Sequence, residues 1–239
     1  MAKAPKETAP AKSEETRRRI LEAAIAKFQE HGFEKATMRE IAAESGVATG
    51  LAYYYFRSKE DLVLAFYGKS NDEMRPLTAV ALEGKRKLED RLAAVIGVKF
   101  EYYAEHRAFL GALLGHAADP ASRLSPFGEE SAPIRETEYG YFSEALEGSD
   151  LKAPQDLKPF LPSLLWLFQM GLILFWISDR STAQTRTRAL VEKSIPIVTG
   201  LLRIARNPLT RPLRRKVTDL LATIYGESVP EASRVGTSA

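Results

Sequence analysis

At 239 residues, with 45% hydrophobic and 27% charged side chains, the chain can bury a sizeable core as one large or two modest domains. It has no cysteine, which excludes a disulfide scaffold, a thiolate zinc site and a cysteine nucleophile and predicts a cytoplasmic protein. The net charge of +3 leans only weakly towards an anionic partner, and residues 1–62 carry 11 Lys or Arg against 10 Asp or Glu, so any basic face must come from arrangement rather than total.

The opening MAKAPKETAPAKSEE is polar, lacks the apolar segment of a secretory signal, and reads as a flexible arm over residues 1–13 whose Lys3, Lys6 and Lys12 are candidate phosphate contacts. A helix follows over 15–31, with Ile20, Leu21, Ala24, Ile25 and Phe28 on one stripe and Gly32 placed to end it. Thr37 and Glu40 form a capping box for the next, two-turn helix. Gly46 supplies a sharp bend and Val47 an apolar plug, and a second short helix spans about 48–55. Ser58-Lys59-Glu60-Asp61 reads as another capping box, opening a helix with Leu62 and Phe66 on one side.

Helices this short cannot stand alone and must pack as a unit, with the bend setting two of them steeply across each other: a helix-turn-helix at about 37–56. Tyr53, Tyr54, Tyr55 and Phe56 are consecutive, and successive helical residues point about 100° apart, so all four cannot face inward. Val47, Ala52 and Phe56 fit the inner face, leaving Thr49, Gly50, Tyr53 and Tyr54 outside, while Tyr55 fits either side. Exposed phenols, helix N-termini and a lysine are groups that hold a helix against a phosphate row in the major groove.

Over roughly residues 15–66, this pattern resembles the tetracycline-repressor (TetR) family of transcriptional regulators. Thr37-Met38-Arg39-Glu40-Ile41-Ala42, Gly46-Val47, Thr49-Gly50, Tyr53-Tyr54-Tyr55-Phe56 and Ser58-Lys59-Glu60-Asp61-Leu62 match in order and spacing. The resemblance implies that Thr37, Thr49, Gly50, Tyr53, Tyr54 and Lys59 sit against double-stranded DNA; Ala48, Leu51 and Tyr55 of the same stretch complete the candidate set. Two departures stand out. Ala48 replaces a common capping serine, and Leu51-Ala52 replaces the usual small polar and large apolar order; a Leu51 projecting into the groove would meet a thymine methyl.

Further along, Pro76 is expected to interrupt the fourth helix. A longer helix carries Leu88, Leu92, Val95, Ile96 and Tyr103, and a shorter one Phe109, Leu110, Leu113 and Leu114. Residues 118–133 read as a loop, followed by a helix through Tyr139, Phe142 and Leu146. Phe160 to Ile177 is an uncharged run of 18 residues, the threshold length of a membrane span, but Pro162, Ser163, Gln169 and Gly171 interrupt it. The expectation is therefore no membrane, but a helix buried on one side by its own domain and on the other by a second copy. Ser181 to Gln184 is placed to cap the next helix, with Pro196 as a bend. A homodimer built from these two helices would use Phe168, Leu172, Phe175, Leu190, Ile197 and Leu201.

Phe100, Tyr103, Phe142, Trp166, Gln169 and Met170 have the makeup of an apolar pocket with an orienting amide, though equally that of plain core. By the resemblance, the larger domain holds a small molecule that alters the spacing of two DNA-reading heads through the fourth helix. His106 and His116 lack a zinc spacing, and no phosphate loop, nucleophile elbow or dinucleotide turn occurs, so no catalytic residue, metal or cofactor is expected. The basic run from Arg203 to Lys216 fits a solvated surface or an anionic contact.

The expected fold is all-α. An N-terminal helix-turn-helix DNA-binding domain spans 14–74, a larger C-terminal helical domain for ligand binding and dimerisation spans 75–226, and 227–239 forms a flexible tail. The expected protein is a ligand-responsive homodimeric repressor, not an enzyme, reading an inverted-repeat operator and answering to a small apolar or amphipathic ligand. A helical small-molecule carrier or membrane-associated adaptor is the alternative.

Overall fold

Apolar residues recurring at helical spacing become helices throughout the computed structural model, which describes residues 9–225. In chain order these are α1 (Ala9–His31), α2 (Met38–Glu44), α3 (Thr49–Tyr55), α4 (Lys59–Leu82), α5 (Leu88–Tyr103), α6 (Arg107–Ala118), α7 (Ala132–Glu147), α8 (Leu161–Ser178), α9 (Thr185–Ala205) and α10 (Arg211–Tyr225). Short 3-10 turns precede α6, α9 and α10. The described residues divide into two compact units, one of 9–72 with 104–134, the other of 73–103 with 135–225.

In the first unit α1, α2, α3, the start of α4 and α6 bury Ile20, Ala24, Phe28, Phe33, Ile41, Ala42, Ala52, Phe56, Leu62, Phe66 and Phe109. Phe109 stacks on Phe28 with ring centroids 5.5 Å apart and meets Phe66 edge to face, so α6 completes this core despite its distance in sequence. The turns after α6 are tied to the start of α4: Arg123 pairs with Asp61 at 2.8 Å and donates to the Ser58 hydroxyl. α1 begins at Ala9, inside the expected arm. Lys12 is therefore helical, whereas Lys3, Lys6 and the tail at 227–239 lie outside the described residues.

The second unit centres on Leu88, Leu92 and Ile96 of α5, Phe142 and Ala145 of α7, Leu161, Leu165, Trp166 and Leu172 of α8, Ile195 and Leu202 of α9 and Leu221 of α10. A buried arginine closes one end. The Arg91 guanidinium donates to the carbonyls of Ala145 and Glu144 at 2.8 Å, Lys85 at 2.9 Å and Leu82 at 3.3 Å. It thus supplies a partner to the carbonyls of Ala145 and Lys85 and a second one to those of Glu144 and Leu82, which already accept from the N–H groups of Gly148 and Lys85. Gly148 lies against that guanidinium, where any Cβ would overlap it.

Three local expectations are corrected. α4 runs unbroken through Pro76; a proline forfeits one bond within its helix, and the other bonds of a 24-residue helix carry it across. The segment Ser181 to Gln184 is no simple capping box, because Ala183 and Gln184 adopt left-handed φ of 49° and 55°. Gln184 turns to accept from the Trp176 indole at 2.8 Å, and the Ser181 hydroxyl accepts from the N–H of Arg186. α9 is held instead by Asp179, whose carboxylate accepts from the N–H of Ser181 and from both the N–H and hydroxyl of Thr187. The backbone bond from Ser181, ahead of those from Thr187 and against burial, keeps this carboxyl well below the usual range. Its stabilisation is present above the ordinary carboxylate pKa and lost as pH falls further. Lastly, Asp61 reaches back to the N–H of Arg57 rather than that of Ser58, so only the Ser58-to-Asp61 half of the second capping box forms.

Replacing Arg91 by Met takes the partner from the Ala145 and Lys85 carbonyls and one of two from those of Glu144 and Leu82, and is expected to destabilise the second unit by about 3 kcal/mol. Gly148→Ala, which forces the guanidinium aside, is expected to cost about 1–3 kcal/mol. Urea melts followed by tryptophan emission report on this unit, since Trp166 and Trp176 both lie in it. Midpoints matching the parent's would contradict the role given to Arg91.

Candidate functional site

The bend between α2 and α3 is fixed from three sides. Gly46 has φ +67°, a conformation that disfavours other residues, and a Cβ there would stand 3.0 Å from Nη2 of Arg19. That guanidinium, reaching over from α1, donates to the Ser45 carbonyl. Upstream, the Thr37 hydroxyl accepts from the N–H of Glu40 at 3.2 Å, while the Glu40 carboxylate accepts from the hydroxyl and N–H of Thr37. These bonds, the hydroxyl's first, hold the Glu40 carboxyl below the usual range. Downstream, Ser13 of α1 hydrogen-bonds the Tyr55 phenol at 3.0 Å, and Arg17 sits 5.1 Å from the centre of the Phe56 ring.

With Ala52 and Phe56 buried, α3 turns its other side out. Tyr54 is 79% exposed, Tyr53 49% and Leu51 41%; Ala48, Thr49 and Gly50 are exposed as well. The hydroxyls of Thr49, Tyr53 and Tyr54 have no hydrogen-bond partner among the described residues. Ala48 occupies the N-cap of α3 without a side-chain bond. Val47 is half-buried. Tyr55, also half-buried, differs from its neighbours: its hydroxyl is spent on Ser13 and its ring meets Tyr54 edge to face. Lys59 is partly committed too, its ammonium donating to the carbonyls of Phe33 at 2.6 Å and Glu34 at 3.1 Å, 4.6 Å from the centre of the Phe33 ring. Arg17, Arg19 and Ser13 carry no local signal in the sequence, because their tethers to the bend and to the end of α3 depend on tertiary packing.

Two family profiles match this chain: the bacterial regulatory proteins of the tetR family over residues 20–66, and the tetracyclin repressor-like C-terminal domain over residues 91–221. The chain belongs to the TetR family. Among curated relatives, an uncharacterized HTH-type transcriptional regulator, YerO of Bacillus subtilis, is 36% identical over 104 residues, or 42% of this chain and 35% of that protein. The fatty acid metabolism regulator protein of the same organism is 28% identical over 36% of this chain and 44% of its own length. The chain thus spans less than half the length of these relatives. A tetR-family regulator from Streptomyces coelicolor superposes with a TM-score of 0.60 at 20% identity, covering 90% of this chain and 98% of that one. FadR of Bacillus subtilis, solved with stearoyl-CoA, gives 0.56 at 16% identity, covering 73% and 95%. Both structural likenesses concern the fold.

In the TetR-type second unit, the expected pocket residues surround a buried ion pair that no local sequence pattern marks. Trp166 and Gln169 are buried and donate to one oxygen of Glu138, at 2.9 and 3.5 Å, while Lys99 forms an ion pair with the other. Tyr103 lies beside Lys99, Tyr139 meets Trp166 edge to face, and Phe100 meets Trp176 likewise. Phe142 is buried in the same core and Met170 packs against it. Burial, ahead of neighbouring charges, pushes the Tyr139 phenol up. Lys99 and Glu138 lie 39 residues apart on different helices, so neither periodicity nor spacing joins them.

α8 is the one helix among the described residues long and apolar enough to cross a membrane. It buries Leu161, Leu165, Trp166, Gln169, Leu172 and Trp176 within its own unit while exposing Leu167, Leu174 and Phe175. Leu172, expected at a dimer interface, belongs to the core of its own chain, and Phe168 and Leu190 pack against that core. Phe175, Ile197 and Leu201 of the expected set are exposed, together with Leu167 and Leu174 on α8 and Ile204 on α9. Within the basic run, Arg203 pairs with Glu89 and Arg214 with Asp156. His116 pairs with Glu34 and His106 with Gln29, and no metal-holding group of acids and histidines occurs among the described residues.

Removing one member of a buried ion pair leaves the other charged and unpaired. Glu138→Leu is therefore expected to lower stability by about 3–5 kcal/mol, with Lys99→Met added to it recovering most of the loss. Denaturation of both variants checks this; a double variant as unstable as the single would contradict it.

Proposed function

We propose that this chain is a homodimeric, ligand-responsive regulator of transcription, acting as a repressor in the cytoplasm and binding an inverted-repeat DNA operator. The observation that carries the reading is the outer side of α3, where Thr49, Tyr53 and Tyr54 present hydroxyls unused by the described fold. A recognition helix needs such groups: phenols for phosphates, and small side chains near its start for base edges. Lys35 and Arg39, exposed on either side of Thr37 in sequence and outside every ion pair among the described residues, add positive potential.

Two further findings support the rest. α8 and α9 together expose Leu167, Leu174, Phe175, Ile197, Leu201 and Ile204, and a two-fold partner would cover them. Two copies would present two copies of α3 to the half-sites of a palindrome. The similar fold solved with stearoyl-CoA supports a ligand that is amphipathic. In this reading Lys59 chiefly locks the start of α4 against Phe33 and offers phosphate its one remaining proton.

Fragments selected from a genomic pool supply the duplex. Tyr53→Phe and Tyr54→Phe are each expected to weaken all duplexes about threefold to tenfold while leaving the salt dependence of binding unchanged, since the phenol is uncharged, whereas Thr49→Val is expected to change which sequences are preferred. Affinity insensitive to salt, or selection of no fragment, would overturn the reading.

A further inference from the structure

The buried polar group of the second unit is unfinished on two sides. Both Glu138 oxygens are engaged, one by Lys99 and the other by Trp166 and Gln169. Lys99 is not: an ammonium carries three donors, one goes to Glu138, and its other contact among the described residues is the face of Tyr103, 5.9 Å away. Gln169 Oε1 has no hydrogen-bond partner either. Its amide orientation is fixed, since the reverse would set Oε1 against a carboxylate oxygen. Both side chains are more than nine-tenths buried. Stranded polar groups cost stability, and native folds retain few. Here a spare donor and a spare acceptor flank one carboxylate, next to Tyr103, Tyr139 and Trp166.

We propose that Lys99 and Gln169 form the polar end of an effector site for a neutral head group with an acceptor beside a donor, a carboxamide being the simplest, carried on an apolar or aromatic body. The carbonyl oxygen accepts from Lys99 and the N–H donates to Gln169 Oε1. Neutrality follows from charge balance. Glu138 already compensates Lys99, so a carboxylate on the ligand would meet Glu138, and a ligand cation would meet Lys99. Either would be desolvated without a free counter-charge. This deepens the ligand-responsive reading above and rests on it.

The test uses the whole chain and four probes of matched shape: para-butylbenzamide, para-butylbenzoate, para-butylbenzamidine and para-butylacetophenone. Calorimetry and tryptophan emission read binding. The amide is expected to bind at least about tenfold more tightly than the other three. Gln169→Leu, or Gln169→Met should the leucine variant not fold, is expected to erase its advantage over the ketone while leaving the ketone within about twofold. Equal affinity for all four, preference for the benzoate, no binding by any, or amide preference surviving both variants would overturn the proposal. Duplex binding by the ligand-free chain is measured in parallel. Its absence alongside intact amide selectivity would sink the regulator reading and spare the site, and the converse would sink only the site.

Discussion

Everything at the first unit's outer face depends on one backbone reversal, the positive φ at Gly46 closed by the Arg19 bond to the Ser45 carbonyl. That bend lets two seven-residue helices share one core although neither has apolar area enough to be stable alone. Once Ala52 and Phe56 are committed inward, helical geometry leaves Tyr53 and Tyr54 only the solvent side. Exposure of two large rings is thus a consequence of packing at the opposite face, and α1 enforces it by gripping the bend, Tyr55 and Phe56 together. The phenols are presented on a rigid support, which limits the ordering entropy lost when a partner binds.

The second unit uses charge in the opposite way, by hiding it. Arg91 spends its guanidinium on four carbonyls and thereby joins helix ends, a structural use that leaves little unmet. The Lys99–Glu138 pair leaves a surplus donor, with the bare oxygen of Gln169 close by. Arg91, with four hydrogen bonds for its five N–H donors, and Lys99, with one of three donors spent on Glu138, separate architecture from recognition. A ligand that completes the second would bind the ordered form of this unit in preference to looser ones and so shift its population, the thermodynamic requirement of any effector.

How much of this was legible in the sequence follows from the range of the interactions. Capping at Thr37, the bend at Gly46, the end of α1 at Gly32 and the inward set of α3 are local and were readable from a few adjacent residues. The family pattern lies in the same short-range features. What escaped were contacts between residues far apart in the chain: Arg19 with Ser45, Ser13 with Tyr55, Arg91 with the end of α7, and Lys99 with Glu138. Single charged residues inside helices look like surface residues until another helix covers them. The apolar run of α8 showed that the helix must be covered on two sides, but not which residues face which side. Leu172 was therefore expected at the outer face, whereas Leu167 and Leu174 occupy it. Pro76, the left-handed pair Ala183–Gln184 and the half-formed capping box at Ser58 mark further divergences, where the surrounding structure overrides or redirects a local signal.

The orientation of the three tyrosines can be read directly. Fluorotyrosine placed singly at positions 53, 54 and 55 gives three fluorine resonances whose response to a selected duplex reports contact ring by ring. Rings 53 and 54 should shift on titration, in proportion to the duplex bound, while ring 55, held on Ser13, stays nearly still. A duplex that binds fully and leaves 53 and 54 unmoved would contradict the account.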